Sequence, residues 1–233
     1  MNILLTGATG FLGSKLATDL QSKSSVTMTL TVRRLTKISA GNTRIVDGLS
    51  ADTDWSAALA NQDIVIHAAA RAHILKDEEL DPMTEYRKVN VDGTLTLARQ
   101  ASLAGVKRFI FVSSIKVNGK GTLLGRPFQP EDSPSPKDSY GISKCEAEAG
   151  LLKLAAESGM EVVIIRPPLI YGPGVKANFA SMVSWVRKGI PLPFGMVGNK
   201  RSLVAIDNLV DFILLCADRS ISPKAANQVF LVS

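Results

Sequence analysis

Three glycines at a fixed interval, directly behind a short apolar run, constrain the fold of this chain more than any other feature. The run covers residues 3–6, and the turn that follows reads TGATGFLG, with Gly7, Gly10 and Gly13 spaced as GxxGxxG. Residues 11–20 then carry Phe11, Leu12, Leu16, Ala17 and Leu20 at helical spacing. A strand that turns tightly into a helix is the opening half of a βαβ unit. Glycines at that turn let the backbone approach a bulky anion. The helix start supplies N–H donors and the positive end of its dipole. The turn therefore predicts a pyrophosphate-binding site for a dinucleotide, with Gly7, Thr9, Gly10, Phe11, Leu12 and Gly13 as candidate contacts.

The rest of the chain repeats the alternation. Apolar, β-rich runs at 26–32 (VTMTLTV), 44–46, 63–70 (DIVIHAAA), 108–113 (RFIFVS) and 162–165 (VVII) are separated by helical patterns, the longest at 82–105 and 137–158. Continuous rather than alternating apolar runs belong to strands buried on both faces, and their alternation with helices predicts a parallel sheet with right-handed crossovers. With 233 residues, 45% of them hydrophobic, the chain can bury one sizeable core and a small second lobe. From 172 onward proline and glycine become frequent. The expected organisation is a dinucleotide-binding domain over 1–171 and a partial substrate-binding lobe over 172–233. A long Gly-, Pro- and Ser-rich loop at 119–136 has the character of a lid.

Charge and cysteine content narrow the partners. The net charge is +6, but the basic residues are scattered and no aromatic-basic RNA motif occurs, which favours anionic small molecules over nucleic acid. No stretch of 18 apolar residues exists, so no membrane-spanning helix is expected. The first apolar run is too short for a secretory leader, and Cys145 and Cys216 lie far apart without metal-like spacing. Reduced thiols in a cytoplasmic protein are the expectation. Neither His67 nor His73 supports a metal site, and His67 is expected to pack against its neighbours.

Two positions refine the cofactor. An acidic residue at the end of the second strand would bond the ribose 2′-hydroxyl of NAD. This chain instead has Arg33 and Arg34 there, and a guanidinium suits a 2′-phosphate. The expected cofactor is NADP (or NAD). Asp47, followed by Gly48 and Leu49, stands after the third strand, where the adenine edge would lie.

Of the three tyrosines, only Tyr140 has a lysine four residues on, Lys144, which puts both on one helix face. Ser113 and Ser114 end the fifth strand, where an open parallel sheet presents its site. A phenol with an ordinary pKa near 10 is a poor base. A nearby ammonium and an oxidised nicotinamide would favour the phenolate, a shift of ~2–3 units. Tyr140 would then exchange a proton with a hydroxyl or carbonyl as hydride moves to or from the cofactor, Ser114 would bond the same oxygen, and Lys144 would hold the nicotinamide ribose.

TGATGFLG, HAAA, KVNVDGT, FVSSIKVNG, YGISK and RPPLIYGPG occur in this order along the chain. Together they resemble the extended short-chain dehydrogenase/reductase family, the NAD-dependent epimerases and dehydratases, across essentially the whole length. The resemblance implies an α/β, Rossmann-like, doubly wound parallel sheet with a small, incomplete C-terminal substrate lobe. It implies Tyr140 as acid/base, Lys144 as its partner and Ser114 as oxyanion ligand. Ala68, Ala69, Ala70, Asn90, Ser113 and Pro167 would join the cofactor site. Ser114, Lys116, Asn178 and Arg201 would contact the substrate, a nucleotide-diphosphate sugar, with Asn178 and Arg201 on its diphosphate. Two departures stand out: Leu169 replaces a substrate-contacting asparagine, and Asn118 replaces the tyrosine of a V-Y-G motif. The wording resembles bacterial surface-polysaccharide enzymes that reduce or epimerise C4 of UDP-N-acetyl sugars. The alternatives are a non-catalytic dinucleotide-binding module and a reductase of a small non-nucleotide carbonyl. The resemblance also implies a homodimer through the 82–105 and 137–158 helices.

Overall fold

In the computed structural model the described residues are 1–34, 42–72, 81–123, 125–175, 177–191, 198 and 200–233. Seven strands form one parallel sheet. They are β1 (Asn2–Thr6), β2 (Thr27–Val32), β3 (Asn42–Ile45), β4 (Ile64–His67), β5 (Arg108–Val112), β6 (Glu161–Arg166) and β9 (Gln228–Leu231), in the order β3-β2-β1-β4-β5-β6-β9. β1 is the pivot. The chain winds outward through β2 and β3, then returns to the far side of β1 with β4, in register Ile3↔Ile64 and Leu5↔Ile66. A ligand crevice in such a sheet lies where the winding reverses, beyond the carboxyl ends of the strands. The Gly7 turn, the Arg33–Arg34 pair, the alanines after His67 and the Ser113–Ser114 pair all follow strand ends at that edge.

Both faces of the sheet are covered, which is why its strands read as unbroken apolar runs. On one face Ile3, Leu5, Ile64, Ile66, Ile110 and Val163 pack against α1 (Phe11–Gln21) and α7 (Ile206–Ala217). On the other, Leu4, Val65, Phe109, Phe111 and Ile164 pack against α4 (Gly93–Leu103) and α5 (Ser139–Ser158). Each fully buried Leu or Ile side chain stabilises by about 1.5–3 kcal/mol. No helix among the described residues is long and apolar enough to cross a membrane.

The structure departs from the sequence expectations in three places. The segment expected as one helix over 82–105 is α3 (Pro82–Arg87), a π-helical turn (Lys88–Asp92) and α4. The fourth strand ends at His67, and Ala68, Ala69 and Ala70 leave the sheet, with the Ala69 N–H donating to Thr6 Oγ1 at 3.3 Å. A second, two-stranded parallel sheet joins β7 (Leu169–Tyr171) to β8 (Leu203–Ala205), beside α6 (Ala177–Arg187). A boundary at 171 does not follow the layers, because α7 and β9 lie beyond it yet complete the main core and sheet. Buried Arg108 ties that late segment down: it donates to the Cys216 carbonyl and to Ser222, and pairs with Glu161 at 2.7 Å.

Candidate active site

The glycine turn is a cradle with no space for side chains. Gly7 has φ +76°, and a Cβ there would lie 2.6 Å from the Ala69 nitrogen. A Cβ on Gly13 would sit 2.0 Å from the Gly7 carbonyl oxygen. The Gly10 N–H donates to that same oxygen at 2.9 Å, closing the turn. α1 starts behind Gly10 without any side-chain cap, so its first N–H groups keep their donor capacity for an anion. A groove of about 530 Å³ opens beside the turn, lined by Thr9, Gly10, Phe11, Ser14, Pro173 and Gly174, among others. These features fit a dinucleotide pyrophosphate. Leu12, expected as a contact, points its side chain into the core, leaving only its backbone for a ligand. Arg33, Arg34 and Asp47 are exposed, while Gly48 and Leu49 are half-buried, the latter against Gly93.

α5 presents the titratable pair. Asp138 caps the helix by accepting the Gly141 N–H at 2.8 Å, which fixes Tyr140 and Lys144 one turn apart. Lys144 is 2% exposed; its Nζ donates to the Val112 carbonyl at 2.8 Å and lies 4.3 Å from the Phe111 ring centroid and 6.0 Å from that of Tyr140. Burial pushes the Lys144 amine down to about 7. It pushes the Tyr140 phenol up to about 12, with Asp138 and Tyr86 adding to the rise. Both groups are desolvated together, which opposes the charged form of each.

Ser114 and Ser113 part company. Ser114 is half-buried, in extended backbone, and caps the short 3-10 turn Ile115–Val117, its Oγ accepting the Lys116 N–H at 3.3 Å. Its hydroxyl proton remains available to a ligand. Ser113, expected at the cofactor, is buried and donates to the Glu148 carboxylate. Asn90 is likewise 1% exposed and fully engaged. Its Oδ1 accepts the Arg71 N–H at 2.8 Å, and its Nδ2 donates to the Arg71 carbonyl and to Ser143 Oγ, each at 3.0 Å. It holds the backbone of Arg71 against Ser143 of α5. Pro167 is buried, its carbonyl accepting the Ile115 N–H at 3.0 Å. Lys116 pairs with Asp138 at 2.7 Å. Arg201 is exposed ahead of β8, and no described contact joins it to Tyr140; the side chain of Asn178 lies outside the described residues, as does His73.

Sequence reasoning missed the polar layer beneath the site. Glu148, one turn after Lys144, receives Ser113 and the Arg166 guanidinium at 2.6 Å, and Arg166 also donates to Asn118 Oδ1 at 2.9 Å. Asn118 in turn donates to the Gln129 carbonyl at 3.0 Å and so anchors the 119–136 loop. The signals were present: the Tyr140–Lys144–Glu148 stripe at four-residue intervals, and an arginine ending an apolar run. His67 is fully buried between Thr6 and Thr94 at 2.7 and 2.9 Å, stays neutral with its pKa lowered to about 3, and stacks on Phe111.

This geometry has close relatives. The model of the NAD dependent epimerase/dehydratase family matches residues 3–229. A Vibrio cholerae UDP-glucose 4-epimerase is 56% identical over 233 residues, covering 100% of this chain and 70% of that protein. An Escherichia coli O157:H7 4-epimerase of N-acetyl-alpha-D-glucosaminyl-diphospho-ditrans,octacis-undecaprenol is 29% identical over 218 residues, covering 91% of this chain and 62% of that protein. The solved structure of MoeE5 in complex with UDP-glucose and NAD superposes with a TM-score of 0.82 at 26% identity, covering 100% of this chain and 76% of that one. With a family match over nearly its whole length and a relative 56% identical across all of it, the chain belongs to the NAD-dependent epimerase/dehydratase family.

Proposed function

We propose that this chain is a nucleotide-sugar 4-epimerase that holds NAD on the Gly7–Gly13 turn and moves the proton at the sugar O4 through Tyr140. The observation that carries the reading is that Lys144 stands 6.0 Å from the Tyr140 ring on α5, whose start packs on the turn that Ser114 caps, while the glycine cradle follows β1 of the same sheet. The 56% identity to a UDP-glucose 4-epimerase supports a UDP-hexose as substrate. When bound, the oxidised nicotinamide supplies a hydride acceptor for C4 and a positive charge near Tyr140. The chain's own groups do the rest. Ser114 donates its hydroxyl hydrogen to O4 and fixes its direction. Tyr140, as the phenolate that the positive nicotinamide would favour, takes the O4 proton and returns it after the sugar has turned its other face. Lys144, held on the Val112 carbonyl, keeps its amine on the catalytic side of α5 and bonds the cofactor ribose. Because both are desolvated, any charge entering the site acts on them more strongly than it would in water. Arg201 and Asn178 are assigned to the substrate diphosphate, an arginine being the natural fork for its oxygens.

One observation favours a second reading. The exposed Arg33–Arg34 pair suits a 2′-phosphate, and a 4-keto reductase would use exchangeable NADPH. Denaturing the purified protein and identifying the released cofactor separates the two. Near-stoichiometric NAD is expected; an empty protein that prefers NADPH to NADH would overturn the epimerase reading. The proposal extends to a homodimer through α4 and α5, supported by exposed Leu103 and Leu152, and to a cytoplasmic setting, supported by the free thiols of Cys145 and Cys216.

A further inference from the structure

Tyr140 lies beside an ion pair that the proton transfer as described does not use. Lys116 Nζ is 2.7 Å from Asp138 Oδ2 and 5.7 Å from the Tyr140 ring centroid. Each partner also holds a piece of the site by its other atoms. The Lys116 N–H donates to Ser114 Oγ, and Asp138 Oδ1 accepts the Gly141 N–H at the start of α5. The two segments also meet where Gly141 packs closely on the Lys116 carbonyl: a Cβ there would lie 3.0 Å from that oxygen. The 3-10 turn bearing Ser114 and the helix bearing Tyr140 are thus joined through one lysine and one aspartate.

We propose that the Lys116–Asp138 pair is a charge-balanced clamp on Tyr140, joining the Ser114 turn to the start of α5 and setting the field in which the phenol gives up its proton. Both residues are positioning residues. Among the described residues, the charged or titratable groups around Tyr140 are Lys116 from the 3-10 turn, Asp138 ahead of α5, Lys144 on α5, and Tyr86 on α3, its ring 6.2 Å away, with Arg71 stacked on Tyr86 at 5.5 Å. Asp138 is the one anion in this set, and it opposes ionisation of the phenol. Lys116 offsets it. With side chains 33% and 48% exposed, the pair is partly screened, so its influence is modest and falls with added salt.

The clamp makes a signed prediction. It rests on Tyr140 as the proton-transfer group, and the experiment has an arm that does not. The pH profile of kcat/KM for UDP-glucose is measured for the NAD-loaded wild type, Lys116→Met, Asp138→Asn and the double variant. In parallel, the phenol is titrated by near-ultraviolet absorbance, differenced against Tyr140→Phe. Lys116→Met leaves the carboxylate unbalanced and moves both curves to higher pH by about half a unit. Asp138→Asn keeps the helix cap, leaves the ammonium unbalanced and moves them to lower pH by a similar amount. The double variant returns close to wild type, and salt shrinks both single shifts. Asp138→Ser, which also caps, replaces Asp138→Asn should that variant melt early. Shifts of the same sign, or none, overturn the clamp. A raised KM with an unmoved profile overturns it too, because it assigns Lys116 to substrate contact. Opposite shifts in the titration of a protein that turns over no UDP-sugar uphold the clamp while removing the epimerase reading.

Discussion

At Gly13 the space for a single methyl group decides whether the cofactor turn can form. A Cβ there would lie 2.0 Å from the Gly7 carbonyl oxygen, which the Gly10 N–H already holds in place. Gly13→Ala must therefore push α1 away from the turn. We expect the variant to fold, since Gly13 lies at the end of α1 rather than in mid-sheet, and to bind NAD at least about a hundredfold more weakly, a loss of about 3 kcal/mol. Calorimetric titration with NAD checks this; wild-type affinity would show that the turn does not carry the pyrophosphate. At the same scale, the Tyr140–Lys144 pair was suggested by its four-residue spacing, and Ser114 by the resemblance of the motif around it. Their protonation was not. What pushes Tyr140 up and Lys144 down is burial, and the atoms that bury Lys144, Phe111 and Val112, come from a strand some thirty residues earlier. Likewise, nothing local distinguishes Ser113 from Ser114 until Glu148 is seen to claim the first.

At the scale of elements, the π-helical turn Lys88–Asp92 is the piece whose work is least visible. It carries Asn90, whose amide holds both backbone groups of Arg71 and the hydroxyl of Ser143, and Ser143 in turn donates to the Tyr140 carbonyl at 2.8 Å. Asn90→Ala strands these partners in a buried place. The expected outcome is a loss of about 1–3 kcal/mol in unfolding free energy and a fall in kcat of about 10–100-fold, from a misplaced Tyr140. Denaturant unfolding together with steady-state kinetics checks both; an intact kcat in a destabilised protein would reduce Asn90 to a fold residue. The main sheet was legible because a strand buried on both faces must be apolar at every position. β7 and β8 were not: each has three residues, only Val204 among the six is buried, and they pair across more than thirty residues, so neither period nor composition marks them. The π turn was equally hidden, since its sequence continues the helical pattern on either side.

Across the whole molecule, one reversal of winding at β1 and β4 gathers the functional pieces onto a single edge of the sheet. The cradle follows β1, the alanines follow β4, the serines follow β5, and α5 crosses behind them to present Tyr140 and Lys144. The late segment closes the sheet through β9 and is tied to its far end by Arg108, Glu161 and Arg219. The central claim is that this assembly inverts C4 of a UDP-hexose with its own bound NAD and with Tyr140 moving the proton. The most direct test follows UDP-glucose by proton NMR with no nicotinamide added, in wild type and in Tyr140→Phe, with bound cofactor quantified in both. The wild type should produce UDP-galactose, and Tyr140→Phe should retain NAD yet turn over about 10²–10⁴-fold more slowly. A Tyr140→Phe variant as fast as wild type, or an NAD-loaded wild type that leaves the C4 configuration of every UDP-hexose offered to it unchanged, would contradict the account.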